Sequence, residues 1–130
     1  MKPMRGFNHL TLRIKNLEIS IAFYCDLLGM TLVHQGKKDA YLQWGEAWIC
    51  LLERDNQPDS EDHYGMDHVA FSINENEFHF LKDKLTKHQI SFEREPVFRG
   101  GGLSFQFRDP DRILLEYFTG TLEKRMETWK

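Results

Sequence analysis

Long apolar runs, paired cysteines and an excess of positive charge are all missing from this 130-residue sequence. No stretch approaches the roughly 20 apolar residues that a helical membrane span requires. The opening residues, MKPMRGFNH, have no apolar core of the signal-peptide kind, so a cytoplasmic location is expected. The two cysteines, Cys25 and Cys50, are spaced neither as a CxxC site nor as a disulfide framework, and reduced thiols are expected. A net charge of −3 provides no broad basic field, which argues against nucleic acid as a partner. With 41% hydrophobic and 28% charged residues, the chain reads as a folded soluble domain with one core.

What is present is a repeat. GFNHLTLRI near the start and GMDHVAFSI in the middle match at one constant offset, Gly6 with Gly65, Asn8 with Asp67, His9 with His68 and Ile14 with Ile73. The first copy alternates, with Leu10, Leu12 and Ile14 on one face of a strand and Phe7, His9, Thr11 and Arg13 on the other. A helix then starts at Asn16 or Glu18, buries Ile19, Ala22, Phe23 and Leu27, and stops at Gly29. Three strands follow in MTLVHQ, DAYLQWG and EAWICLLE, and the polar stretch around Pro58 is a linker.

The second half replays this order. Val69, Phe71 and Ile73 oppose His68, Ala70 and Ser72, and ENEFHFLKDKLTKH forms an amphipathic helix with Phe78, Leu81 and Leu85 in one stripe. Strands follow in ISFERE, LSFQFRD and RILLEYF, with a DPD turn between the last two. The expected architecture is α+β, two β-α-β-β-β modules within one domain over residues 1–130. Module one covers about 5–54, the linker about 55–64, module two about 65–118 and a helical tail 119–130.

A lone histidine on a strand is ordinarily a hydrogen-bonded structural residue. Two at matching positions of a duplicated unit, both on the polar face, instead suggest one shared cavity. Strand parity puts Glu116 with Leu114 and Phe118, Trp48 with Cys50 and Leu52, Tyr41 with Gln43, and Ser104 with Gln106. If the two sheets curve into a cup, its lining combines His9, Thr11, Trp48, His68, Ser104, Gln106 and Glu116. Two imidazoles and a carboxylate suit a divalent cation that keeps positions open for substrate. The alternative is a buried Glu116 neutralised by Arg13 or Arg112.

NHLTL, SIAFYCDLLGM, MDHVAFSI and RDPDRILLEYF, in this duplicated order, resemble the vicinal oxygen chelate (glyoxalase-like) superfamily, and the resemblance covers nearly the whole chain. It implies a curved-sheet cup and metal ligands at His9, His68 and Glu116. Glyoxalase I has a further glutamate ligand where this sequence has Cys50, expected here as a packed thiol. Extradiol dioxygenases are longer and use additional catalytic residues. Bleomycin-binding proteins lack the metal triad.

In detail the chain is most similar to the fosfomycin resistance thiol transferases, through NHLTL, SIAFY, AYL, WICL and TGTLEKR. That resemblance implies a transferase or lyase in which a divalent metal (Mn, Zn, Ni or Fe(II)) activates an epoxide toward glutathione or another small thiol. It also implies that Thr11 stands near the reacting oxygen and that Arg125 holds a phosphonate. By the same resemblance Tyr41 and Trp48, with Ser104 and Gln106, are expected to contact substrate and the protein to pair as a homodimer; no nucleic-acid or membrane partner is expected.

The departures lie in RGGGLS, where Gly100 and Gly101 replace a potassium-binding serine and glutamate, and at Gln106, where the family has a phosphonate-contacting tyrosine. Pro96 falls near a family lysine, and Arg94, Arg99 and Arg108 are the available substitutes. The glycine run itself is expected to be a flexible hairpin turn. Glu46, at a turn, does not match the base of the hydrolase relatives. The competing readings are a non-catalytic drug- or metabolite-binding protein and a glyoxalase- or dioxygenase-type metalloenzyme.

Overall fold

A computed structural model describes residues 7, 9–54, 66 and 68–128. The linker expected over 55–64 and the repeat residues Gly6, Asn8, Gly65 and Asp67 lie outside the described residues. The chain divides into two compact units, Met1–Asp59 and Ser60–Lys130.

In the first unit the alternating pattern becomes strand β1 (His9–Ile14), followed by helix α1 (Leu17–Ile21) and strands β2 (Thr31–Gln35), β3 (Asp39–Trp44) and β4 (Ala47–Glu53). The sheet order is β1-β4-β3-β2, with β1 parallel to β4 and the other pairs antiparallel. Leu12, Ile14, Ala40, Leu42, Ile49 and Leu51 are buried on one face of this sheet.

The Asn16 side chain caps α1 by accepting from the Ile19 N–H at 3.0 Å. Beyond Ile21 the helix widens into a π-helical stretch, Ala22–Leu27, in which the Leu28 N–H reaches the Phe23 carbonyl at 3.0 Å. Widening rotates the buried face. The expected stripe of Ile19, Ala22, Phe23 and Leu27 gives way to Leu17, Phe23, Tyr24 and Leu28, and Ile19 is exposed. Gly29 ends the helix at φ +87, a conformation open to glycine at no steric cost.

The second unit contains β5 (Val69–Ser72), α2 (Glu75–Lys87), β6 (Phe92–Arg99), β7 (Gly102–Arg108), β8 (Leu114–Phe118) and α3 (Leu122–Thr128). Its order, β5-β8-β7-β6 with β5 parallel to β8, repeats that of the first unit. Asn74 and Glu77 form a reciprocal capping box that starts α2. Phe78, Leu81 and Leu85 then turn inward, and Phe78 packs on Phe105 with ring centroids 5.1 Å apart. Asp109 closes the DPD turn by accepting from the Asp111 and Ile113 N–H groups, each at 2.8 Å. Among the described residues no helix is long and apolar enough to cross a membrane.

Two features of this unit depart from expectation. Strand β6 runs on to Arg99, well past ISFERE, because two register shifts, one at Glu93 and one between Arg94 and Val97, each absorb one extra residue as a bulge and keep the strand paired with β7. The Gly100–Gly102 run is not a free hairpin tip. Gly101 has φ +88, and a Cβ on it would meet the Lys124 carbonyl carbon at 3.0 Å. A Cβ on Gly102 would meet the Gly120 nitrogen at 2.3 Å. Absent side chains let α3 seat directly on the β6–β7 turn.

Gly102→Ala is therefore expected to cost about 2 kcal/mol or more in urea unfolding, because both colliding partners are backbone. Gly45→Ala, at φ +58 with nothing within 4 Å, should cost about 1 kcal/mol from backbone strain alone. A second expectation concerns Tyr117, whose phenol is pushed up from its ordinary value by burial and by the Glu77 carboxylate. A raised value keeps the phenol neutral in the fold while the unfolded chain ionises near pH 10, so stability present below that pH falls as pH rises above it. Tyr117→Phe should flatten the alkaline limb of a pH series of unfolding free energies.

Candidate functional site

Each sheet has one face packed into a core and one left for chemistry, as strand parity requires. On the free face of the first unit, His9 lies opposite Trp48 across β1 and β4, and Thr11 lies opposite Cys50. Tyr41 and Gln43 on β3 continue the row. Ring centroids step from His9 to Trp48 at 4.6 Å, from Trp48 to Tyr41 at 5.7 Å and from Tyr41 to His34 at 5.8 Å. Val33, Tyr41, Leu42, Gln43 and Trp48 line an open groove of about 350 Å³. The Cys50 thiol is pushed up by burial and by the Asp39 carboxylate, against a hydrogen bond with Thr11 that lowers it. The raised value keeps it a neutral thiol at ordinary pH.

In the second unit Glu116 is buried on β8, opposite Ala70 of β5 and Gln106 of β7. His68, two residues before Ala70, shares their face. Its Nε2 lies 3.2 Å from Glu116 Oε1, and Gln106 Nε2 donates to the same oxygen at 2.7 Å. The Ser104 hydroxyl donates to Oε2 at 2.9 Å, and Arg94 Nη2 stands 3.6 Å from that oxygen while also donating to Ser104 Oγ.

The acid's guanidinium partner is thus Arg94, not the expected alternative of Arg13 or Arg112. Arg13 faces Leu52 of β4 within the first unit. Arg112 occupies the β7–β8 turn at φ 69, where its carbonyl accepts from Arg108 at 2.8 Å. Arg94, expected only as a substitute for a family lysine, would share the core face with Phe92 in a regular strand. The bulge between those two residues turns it to the face of Gln106. Pro96 marks only the second irregularity, between Arg94 and Val97; no residue type marks the first.

Ser104 and Gln106, expected to contact substrate, both hydrogen-bond the acid. Arg125, in the last turn of α3, lies over the glycine turn, with its Cδ 3.4 Å from where a Gly100 Cβ would stand. Thr11, Tyr41 and Trp48 share one face of the first unit, with His9 among them.

The His68–Glu116 pair suits a divalent cation. Metal–ligand bonds of about 2.0–2.2 Å place adjacent ligand atoms roughly 3 Å apart, close to the 3.2 Å observed. Among the described residues of the second unit, no third His, Cys, Asp or Glu joins them in a ligand cluster.

Duplicated β-α-β-β-β units, each with a histidine leading its first strand and one with a buried acid on its last, define the class of protein. The chain belongs to the Glyoxalase/Bleomycin resistance protein/Dioxygenase superfamily, whose family model matches residues 6–117. Within it, the chain is 35% identical over 129 residues to the metallothiol transferase FosB of Staphylococcus epidermidis, covering 98% of this chain and 92% of that protein. It is 34% identical to the glutathione transferase FosA of Serratia marcescens over 126 residues, covering 95% and 86%. Among solved structures, the fosfomycin resistance protein FosX of Listeria monocytogenes, complexed with Mn(II) and sulfate, superimposes with a TM-score of 0.79 at 26% identity. That match covers 98% of this chain and 100% of FosX.

Removing the buried acid should expose how much local structure depends on it. Glu116→Ala leaves Ser104, Gln106 and Arg94 without their shared acceptor. Urea unfolding of the metal-free protein is expected to show a loss of about 2 kcal/mol, against about 1 kcal/mol for Ser104→Ala.

Proposed function

We propose that this chain is a divalent-metal-dependent enzyme of the fosfomycin resistance kind, which opens a small epoxide bearing an anionic group by adding a thiol. The observation that carries the reading is the His68–Glu116 pair at 3.2 Å on a buried polar face, in a chain about one-third identical to metallothiol and glutathione transferases. His68, Glu116 and His9 are the proposed ligands of the cation, with Mn(II), Zn, Ni or Fe(II) all compatible with two imidazoles and a carboxylate. A divalent cation held there supplies Lewis acidity to an epoxide oxygen as the ring opens.

The chain's own side chains do the rest. Ser104 and Gln106 fix both carboxylate oxygens of Glu116, so the ligand is held in one orientation before anything binds. Thr11 offers a hydroxyl donor for the negative charge that grows on oxygen as the carbon–oxygen bond breaks. Tyr41 and Trp48 give the groove walls that hold the carbon skeleton or thiol and keep water from the electrophile. Arg125 steadies an anionic group. The thiol sulfur forms its bond to the epoxide carbon, the ring carbon–oxygen bond breaks, and the oxygen finally takes up a proton. Glutathione or another small thiol is the proposed donor, and a cytoplasmic homodimer the proposed working form.

A second reading, sequestration of a ligand without turnover, is favoured by the aromatic row His9–Trp48–Tyr41 beside the 350 Å³ groove. The two are separated by incubating manganese-loaded protein with fosfomycin and a panel of thiols and measuring adduct mass. A thiol-dependent adduct supports the enzyme, whereas retention of intact drug supports the binder. His68→Ala is expected to lose stoichiometric metal by elemental analysis and to form no adduct. Full metal occupancy in that variant would overturn the ligand assignment.

A further inference from the structure

Helix α3 is held to the rest of its unit without an apolar face. Its two large hydrophobic residues, Leu122 and Met126, are 77% and 57% exposed. From Leu122 to Glu127, Arg125 alone is not exposed. A helix of seven residues is too short to persist on its own hydrogen bonds, so tertiary contact must order it.

Within the chain that contact is largely backbone on backbone. Thr121 starts the helix, its hydroxyl accepting from the Lys124 N–H at 3.1 Å and its carbonyl from the Arg125 N–H at 2.9 Å. The same two residues, Lys124 and Arg125, lie on the β6–β7 turn. A Cβ on Gly101 would stand 3.0 Å from Lys124 Cβ and 3.1 Å from the Arg125 nitrogen. Packed carbons do not come so close, and a backbone nitrogen has no rotamer by which to give way. A Cβ on Gly100 would instead meet Arg125 Cδ at 3.4 Å, an ordinary van der Waals contact.

We propose that the glycine turn is a seat for α3, and that Gly101 is a positioning residue that fixes Arg125 where an anionic group of the substrate is to be held. The inference rests on the reading of Arg125 given above and adds what sets its place. A guanidinium recognises an anion by direction, through parallel N–H bonds to two oxygens. A helix displaced by a fraction of an ångström therefore loses more affinity than a point charge would. Nothing on the helix compensates, since its apolar side chains reach solvent rather than a core. A residue that never touches substrate thereby decides how tightly its anionic end is bound.

The test compares two neighbouring glycines. Gly100→Ala and Gly101→Ala both put a side chain at positive φ in one turn and share the backbone strain, but only the second collides with α3. The full chain, supplied with Mn(II), is titrated calorimetrically with methylphosphonate, and amide hydrogen exchange reads the order of α3. Gly101→Ala is expected to weaken methylphosphonate binding about tenfold and to speed exchange of the Arg125 amide by about as much. Gly100→Ala should stay within about twofold of the wild type in both. Arg125→Ala should weaken binding about tenfold or more. Adding Gly101→Ala to it should weaken binding no further, because the glycine acts only through the arginine. Circular dichroism and urea midpoints verify that each variant is folded. Gly101→Asn carries the same Cβ with less strain at positive φ, and serves if the alanine variant does not fold. Equal losses in the two glycine variants overturn the seat, since strain alone then explains them. Additive losses in the double variant overturn it too. A loss in Arg125→Ala with unchanged binding in Gly101→Ala overturns the positioning role alone. No methylphosphonate binding by the wild-type protein, or unchanged binding in Arg125→Ala, overturns the reading of Arg125 and the positioning role together.

Discussion

A carboxylate buried in the middle of a sheet is the constraint around which the second unit is arranged. Left alone, Glu116 would be expelled to solvent or protonated. It stays because β7 supplies Ser104 and Gln106, β6 supplies Arg94, and the approach to β5 supplies His68. Each donor reaches the acid only if its strand keeps its register. Replacing the whole set of Glu116, Ser104, Gln106 and Arg94 by hydrophobic residues of similar volume would hold the sheet together about as well. The arrangement therefore makes most sense as preparation for a ligand, with a carboxylate preoriented by hydrogen bonds and flanked by an imidazole.

The two units are copies that have diverged in what their free faces carry. Thr11 pairs across the ladder with Cys50, and the corresponding Ala70 pairs with Glu116, so thiol and acid occupy matching places in the duplication. Around Cys50 the first unit has gathered His9, Trp48 and Tyr41, a row of rings beside an open groove. Around Glu116 the second has gathered charge and hydrogen-bond donors. One scaffold thus presents a surface suited to carbon and sulfur, and another suited to cations and oxyanions. The glycine turn belongs to the same economy of space. By omitting three Cβ atoms it lets α3, and Arg125 with it, lie directly against the β6–β7 connection.

Most of this architecture is visible in the order of residues. Alternation in HLTLRI and HVAFSI marks the first strand of each unit, and apolar spacing marks the helices that follow. The repeat of His9 at His68 shows the duplication before any coordinates. Where the reading failed, it failed for identifiable reasons. The helix after Asn16 was assigned a 3.6-residue period, but the π-helical stretch shifts the buried face from Ile19 to Tyr24 and Leu28. The Gly100–Gly102 run has the composition of a flexible tip, but its contacts, Gly120 and Lys124, lie about twenty residues away in the chain and only the fold brings them together.

The sequence alone determined the duplicated plan, the polar face of each first strand, and the residue types able to bind a cation, because these follow from periodicity of two and from side-chain chemistry. Only the tertiary structure decided which cation of the chain meets Glu116. Arg13, Arg94 and Arg112 are equally eligible as residue types. The choice among them rests on cross-strand register, and in β6 one bulge between Phe92 and Arg94 reverses the parity before a second, between Arg94 and Val97, restores it. A local pattern cannot carry that information, because a bulge shows itself only in the hydrogen bonds of the neighbouring strand.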